Sequence, residues 1–257
     1  MVRIIGQREQ DGIIDRLITY TAPHGERRVA QILRTAGAGP AILFVHWYEP
    51  EATTSNRTQF VTEATALAKQ GAICMLIETM WSDRDWFLKR TQADDYQNSL
   101  NQVAELRQAL DLLLAEPGVD TRRVAYVGHD FGGMYGVLAG TGDPRPTHYV
   151  IMAATPRFHE WYLYLPKLEG AAREQFIAQM SPLDPIAHVP QLAPKPILFQ
   201  FAKEDFHVPV ERAQAFYDAA GDPKCLLWYE GGHGLNEQAT HDRMAWLTEQ
   251  LGLATED

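Results

Sequence analysis

The sequence predicts an α/β fold, a mostly parallel sheet of about eight strands with helices on both faces. Three observations predict it. Short continuous apolar runs, suited to strands buried on both sides, recur along the 257 residues. Longer stretches with apolar residues at helical spacing lie between them, and Gly and Pro punctuate the joins.

In order, residues 14–21 and 28–34 are β-rich and flank the turn-prone Ala22-Pro23-His24-Gly25, which reads as an opening antiparallel hairpin. Residues 41–45 form a buried strand ending at His46. Residues 56–69 carry Phe60, Ala64, Leu67 and Ala68 at helical spacing, and Gly71 stops that helix before a strand over 72–77. A long helix over 97–114 places Leu100, Val103, Leu106, Leu110 and Leu113 on one stripe. Strands follow at 124–127, 149–153, 197–201 and 226–229, with helices after Asp130, from about Val210, and finally to about Leu251. Residues 156–196 interrupt the alternation. Their aromatic cluster Trp161, Tyr162 and Tyr164, with a helical stretch at 171–180, predicts a short cap over the sheet's carboxyl edge.

This length suits one domain over residues 1–257, with the cap as an insertion. With 46% hydrophobic and 22% charged residues, the chain can bury a large core. A net charge of -10 with no basic stripe excludes nucleic acid as an expected partner. No apolar run is long enough to span a membrane, and residues 1–10 lack the apolar core of a signal peptide. Cys74 and Cys225 each lie in an apolar run that reads as a buried strand, so free core thiols and a reducing cytoplasm are expected. Metal or nucleotide cofactors have no sequence basis, because close Cys/His sets and Gly-rich phosphate loops are missing. A small-molecule substrate is the expected partner, with a homodimer left open.

The chemistry concentrates at Val124-Ala-Tyr-Val-Gly128-His-Asp130-Phe-Gly132-Gly133, a run from a buried strand into a helix. Glycines two before and two after Asp130 let strand and helix approach closely at a sharp turn that lifts the side chain between them. The simpler alternative is an Asp that caps a helix N-terminus, worth about 1 kcal/mol. The pattern resembles the nucleophile elbow G-x-S-x-G of the α/β-hydrolase superfamily, with Asp130 where serine is usual. The resemblance runs from about Ile14 to Leu251 and is nearest to dienelactone hydrolase-like and peptidase-like small hydrolases.

It implies an acid after the strand at 197–201, for which Asp205 is chosen over Glu204, and a histidine after the last strand, His233 in Gly231-Gly-His-Gly234. The order nucleophile, acid, histidine is the superfamily's, and each residue follows a strand's carboxyl end. The resemblance also implies an oxyanion hole from the N–H of Phe131 with that of Trp47 or Tyr48.

A carboxylate changes the reaction. Aspartate, with an ordinary pKa of about 3.9, is already ionised at neutral pH and needs no base. Attack on an ester carbonyl gives an anhydride that reverses, whereas attack on a saturated carbon bearing halide or an epoxide oxygen gives an alkyl ester. Water activated by His233, with Asp205 fixing its tautomer, would then cleave that ester. Locally, Gly128-His-Asp-Phe-Gly132 is similar to the elbow of haloalkane dehalogenases and epoxide hydrolases. Trp47, Trp81, Trp86 and Trp161 are candidate halide donors, and Tyr162 and Tyr164 candidate epoxide donors, although each aromatic also reads as packing. A haloacetate-type enzyme fits less well, because Phe131 and Met134 stand where an arginine would bind the substrate carboxylate. Two alternatives stay open: an ester or lactone hydrolase of dienelactone hydrolase type, drifted or carrying a replaced serine, and a non-catalytic ligand-binding member of the fold.

Overall fold

The computed structural model describes residues 2–254; Met1 and residues 255–257, included in the expected domain, lie outside them. Nine strands form one sheet among these residues: β1 (Arg3–Gln10), β2 (Ile13–Thr21), β3 (Arg27–Arg34), β4 (Gly39–Val45), β5 (Ile73–Ile77), β6 (Val119–His129), β7 (His148–Met152), β8 (Ile197–Ala202) and β9 (Lys224–Tyr229). Their spatial order is β1-β2-β3-β5-β4-β6-β7-β8-β9. The pairs β1·β2, β2·β3 and β3·β5 are antiparallel, and the other five are parallel.

The sheet has one strand more than the sequence predicts. Residues 3–10 show no alternation of apolar and polar positions, and all but one of them are exposed, so they read as a tail. Asp11 and Gly12, both at positive φ, turn β1 onto β2, and backbone pairing supplies what the side-chain pattern does not.

The chain passes from β4 to β5 on one side, then crosses back to place β6 on the other side of β4. The loops leaving the carboxyl ends of β4 and β6 therefore diverge, opening a crevice where α/β sheets hold their ligands. Helices cover both faces. One core joins the sheet to α1 (Val61–Lys69) through Ala64, Leu67 and Ala68, and to α9 (Glu237–Leu251) through Leu247 and Leu251. The opposite face packs α3 (Asp95–Leu114), α4 (Phe131–Gly140) and α8 (Val210–Ala219).

Two side-chain expectations are corrected. Leu100 is 38% exposed, and the buried face of α3 begins at Asp95, Ser99, Gln102 and Glu105. The first turns of α3 meet the loop after β5 and helix α4 through polar contacts: Met80 N–H donates to Gln102 Oε1 at 2.8 Å, and Ser99 Oγ meets Tyr135 Oη at 2.7 Å. Cys74 is buried and Cys225 is exposed, both as free thiols. Cys225 sits on β9, an edge strand, whose apolar run needs no cover on both faces.

Residues between β7 and β8 form the short helices α5 (His159–Tyr162) and α7 (Pro185–His188) with the longer α6 (Gly170–Met180) between them. No helix of the described residues is long and apolar enough to cross a membrane.

Candidate active site

The elbow has the geometry its glycines imply. Asp130 adopts φ 54° and ψ -119°, a strained conformation for a residue with a Cβ, between the end of β6 and the start of α4. Two hydrogen bonds hold the turn: Asp130 N–H to Met152 O and Met134 N–H to Asp130 O, both 2.9 Å. Its carboxylate makes no capping bond to the helix, so the simple N-cap alternative does not describe it.

A Cβ on Gly132 would lie 2.2 Å from Val45 O, and one on Gly128 2.4 Å from Gly132 O. Both clashes are with backbone, which cannot rotate away. Gly132→Ala is expected to cost about 3 kcal/mol in urea unfolding, and wild-type stability in that variant would contradict the close approach of β4 to α4.

Asp130 is 1% exposed. Its Oδ2 lies 3.5 Å from the Tyr48 N–H, and its Oδ1 lies 4.0 Å from His233 Nε2. Neither Oδ1 nor Nε2 has a hydrogen-bond partner among the described residues. The other ring nitrogen, Nδ1, donates to Asp205 Oδ2 at 2.9 Å. Asp205 Oδ1 accepts the N–H groups of His207 and Val208 at 2.8 and 3.1 Å, which fixes the carboxylate. Glu204, the alternative acid, is exposed. The structure thus brings Asp130, His233 and Asp205 into one chain of contacts.

Burial pushes the Asp130 carboxyl up to about 7, only partly offset by His233 and the N–H groups of Phe131 and Tyr48. This corrects the expectation of a carboxylate ionised well below neutral pH. Burial opposes charge on His233, but the bond to Asp205 and the nearby Asp130 outweigh it and raise its pKa. Burial also acts to raise Asp205, yet His233 and the two N–H donors hold it below the usual carboxylate value.

Of the two backbone candidates after β4, the Trp47 N–H is spent on Gln59 Oε1 at 2.9 Å, which leaves Tyr48 to meet Asp130. His46 pins this loop from inside. Its Nδ1–H donates to Trp47 O at 2.9 Å, while Nε2 accepts from Ser82 Oγ at 2.8 Å, and burial lowers its pKa to about 4. The sequence reading used His46 only to mark a strand end. His129, also missed, donates from Nε2 to His233 O at 2.8 Å and so ties the elbow to the histidine loop. Its position inside the elbow motif was the available signal.

The proposed aromatic donors divide. Trp81 is fully buried, donates to His46 O at 3.0 Å and stacks on Tyr135, so it is scaffold and not a free donor. Tyr162 is likewise buried, its hydroxyl engaged with Tyr135 Oη at 2.5 Å. The Trp47 ring packs against Phe60 and His129. Tyr164 is half-exposed at the rim beside Trp161 and His207. Trp86 meets the Phe131 ring edge-on. Trp161 lies closest to the chemistry, its ring 5.6 Å from His233 and 5.5 Å from Phe131, with a buried Nε1 that has no partner among the described residues. His207 stacks on Trp161 at 4.7 Å, another contact the sequence did not indicate.

Three comparisons bear on these features. Solved structures share the fold: an acetyl xylan esterase from a Paenibacillus species (TM-score 0.78, 16% identity, 98% of this chain and 88% of that one) and Acetyl Xylan Esterase 1 from a Thermoanaerobacterium species (0.77, 14%, 97% and 87%). The acylaminoacyl peptidase of Pyrococcus horikoshii is similar over 97% of this chain and 43% of its own (TM-score 0.70, 15% identity). No curated protein matches the sequence. The family model for the prolyl oligopeptidase family matches residues 58–254, which span the elbow, the acid and the histidine. This α/β-hydrolase enzyme belongs to the prolyl oligopeptidase family.

Proposed function

We propose that the chain hydrolyses small molecules through Asp130, His233 and Asp205, with Asp130 forming the covalent bond to substrate. The observation that carries this reading is the division of labour within one carboxylate. Oδ2 already faces the Tyr48 N–H, where an oxyanion would be held, while Oδ1 has no partner and faces His233 Nε2. A substrate's ester carbonyl would have to displace Oδ2 from that hole. A saturated carbon would not.

Oδ1 attacks that carbon, the new C–O bond forms, and a halide departs with the bonding electrons, whereas an epoxide oxygen keeps them and takes a proton from water as the ring opens. The Trp161 Nε1–H is the donor placed to meet that leaving group. Water held between Oδ1 and Nε2, at about 2.8 Å from each, fits the 4.0 Å separation. His233 removes its proton and Asp205 stabilises the imidazolium. The oxygen adds to the Asp130 carboxyl carbon, negative charge collects on Oδ2 beside Tyr48 and Phe131, and the alcohol leaves with the proton from His233. Residues 156–196 act as the cap, with α5 carrying Trp161 over the elbow. Two free thiols suit a reducing cytoplasm.

A single turnover in oxygen-18 water, followed by mass spectrometry of the peptide containing Asp130, tests this route. Label in the carboxylate supports it; label only in the released alcohol refutes it.

A second reading has specific support and fits the comparisons at least as well: ester hydrolysis. Two of the fold neighbours are named as acetyl xylan esterases, and the family match is to the prolyl oligopeptidase family. Under this reading Asp130→Ser restores a serine elbow in a site already equipped with base and hole. Hydrolysis of short-chain p-nitrophenyl esters rising about 100-fold in that variant would favour it over the first.

A further inference from the structure

A second cavity, of about 590 Å³, opens beside the catalytic centre and shares one wall with it, the Trp86 side chain. Its floor is the first half of α3, and its rim comes from the β2–β3 turn and the loop after β5. Such a volume is that of a small-molecule site.

The cations around it are spent on carboxylates. Arg28 pairs with Glu26 at 2.6 Å and with Glu105 at 3.0 Å, and Lys89 pairs with Asp83 at 2.8 Å. His24, Glu26 and Glu105 bring three ligand atoms within 4.8 Å of one another, yet Arg28 already supplies the cation that both carboxylates need. The cavity therefore offers no free cation to an anionic ligand.

Hydrogen-bonding capacity is left unspent. Gln102 and Glu105, each 1% exposed, line the floor one helical turn apart. Gln102 Nε2 and Glu105 Oε2 have no partner among the described residues. One is a donor and the other an acceptor, and leaving both buried and unmade costs roughly 1–3 kcal/mol each. A hydroxyl group can accept from the first and donate to the second. Asn98 and Asn101 add two half-buried amides on the same wall. Trp86 adds an aromatic surface of the kind that packs against the C–H face of a sugar ring.

We infer that this cavity is a binding site for a neutral polyhydroxylated ligand, a saccharide, held by the amides of α3 against Trp86. The inference does not depend on whether Asp130 bonds to substrate, because binding is read without turnover.

Calorimetric titration of the intact chain with maltose, cellobiose and xylobiose tests it. At least one should bind with millimolar or better affinity, and Asn98→Ala/Asn101→Ala should weaken that binding about tenfold by removing two amide contacts. Alanine suits both helical positions, so the double variant should fold. Gln102→Leu, which leaves one floor donor missing, should weaken binding further. Glucose 6-phosphate should bind no better than glucose. Failure of all three disaccharides to bind at 10 mM or below (about 2.7 kcal/mol), equal affinity in wild type and double variant, or tenfold preference for the phosphorylated sugar would each overturn the assignment.

Discussion

Replacing Asp130 by Asn should lower turnover by at least about 10³-fold and, at alkaline pH, make the protein more stable. The two effects share a cause. Burial raises the carboxyl to about 7, so the folded chain binds this proton more tightly than the unfolded chain, in which aspartate titrates near 3.9. A raised carboxyl pKa favours folding only while the group stays protonated. Its cost appears as pH rises above about 4 and is complete above about 7. The full difference, in which the attraction of His233 is already included, sets an upper bound of about 4 kcal/mol. Asn carries no charge to bury, so Asp130→Asn should gain about 2 kcal/mol at pH 8, and the gain should vanish towards pH 4. Urea unfolding at both pH values measures it. An equal difference at the two values would mean that burial of charge at the elbow is not what the variant relieves. In the proposed route only the ionised carboxylate attacks, so wild-type activity should rise through about pH 7.

The parts of this protein that could be read from sequence are those governed by local rules. Buried strands announced themselves as short apolar runs, and the elbow as glycines placed two either side of Asp130, positions where a Cβ would lie within 2.4 Å of a backbone oxygen. The acid and histidine were implied by the resemblance to the α/β-hydrolase superfamily, which places each after a strand. What stayed hidden depended on distant partners. Leu100 and Gln102 exchange the burial their hydrophobicity suggests because α3 starts against the polar loop carrying Met80. Trp81 and Tyr162 look like ligand-facing aromatics until the groups that use their polar atoms, His46 O and Tyr135 Oη, are brought in from far along the chain. Gln59, twelve residues beyond Trp47, decides which N–H faces the carboxylate. A raised pKa at Asp130 is likewise a property of the folded environment, invisible in residue type.

His233→Gln should separate the two halves of the reaction. Attack by Asp130 needs no base, so the variant should still react once with a primary haloalkane or a terminal epoxide, adding one alkyl group to Asp130. Hydrolysis needs a base within reach of the water. Gln cannot remove that proton, so steady-state turnover should fall by about 10³-fold or more while the ester accumulates. Intact mass spectrometry should show a single adduct per chain within one turnover time. The variant also removes a cation that stabilises the Asp130 carboxylate, so the pH at which alkylation becomes fast should move above its wild-type value of about 7. That displacement ties the adduct to this carboxylate, since an exposed Asp or Glu would react equally at pH 5 and pH 9. An unmodified chain after prolonged exposure, with activity lost in parallel on both halogenated and epoxide compounds, would show that His233 is needed before any bond to Asp130 forms. In that case the ester reading, in which base and nucleophile act in the same step, is the one to carry forward.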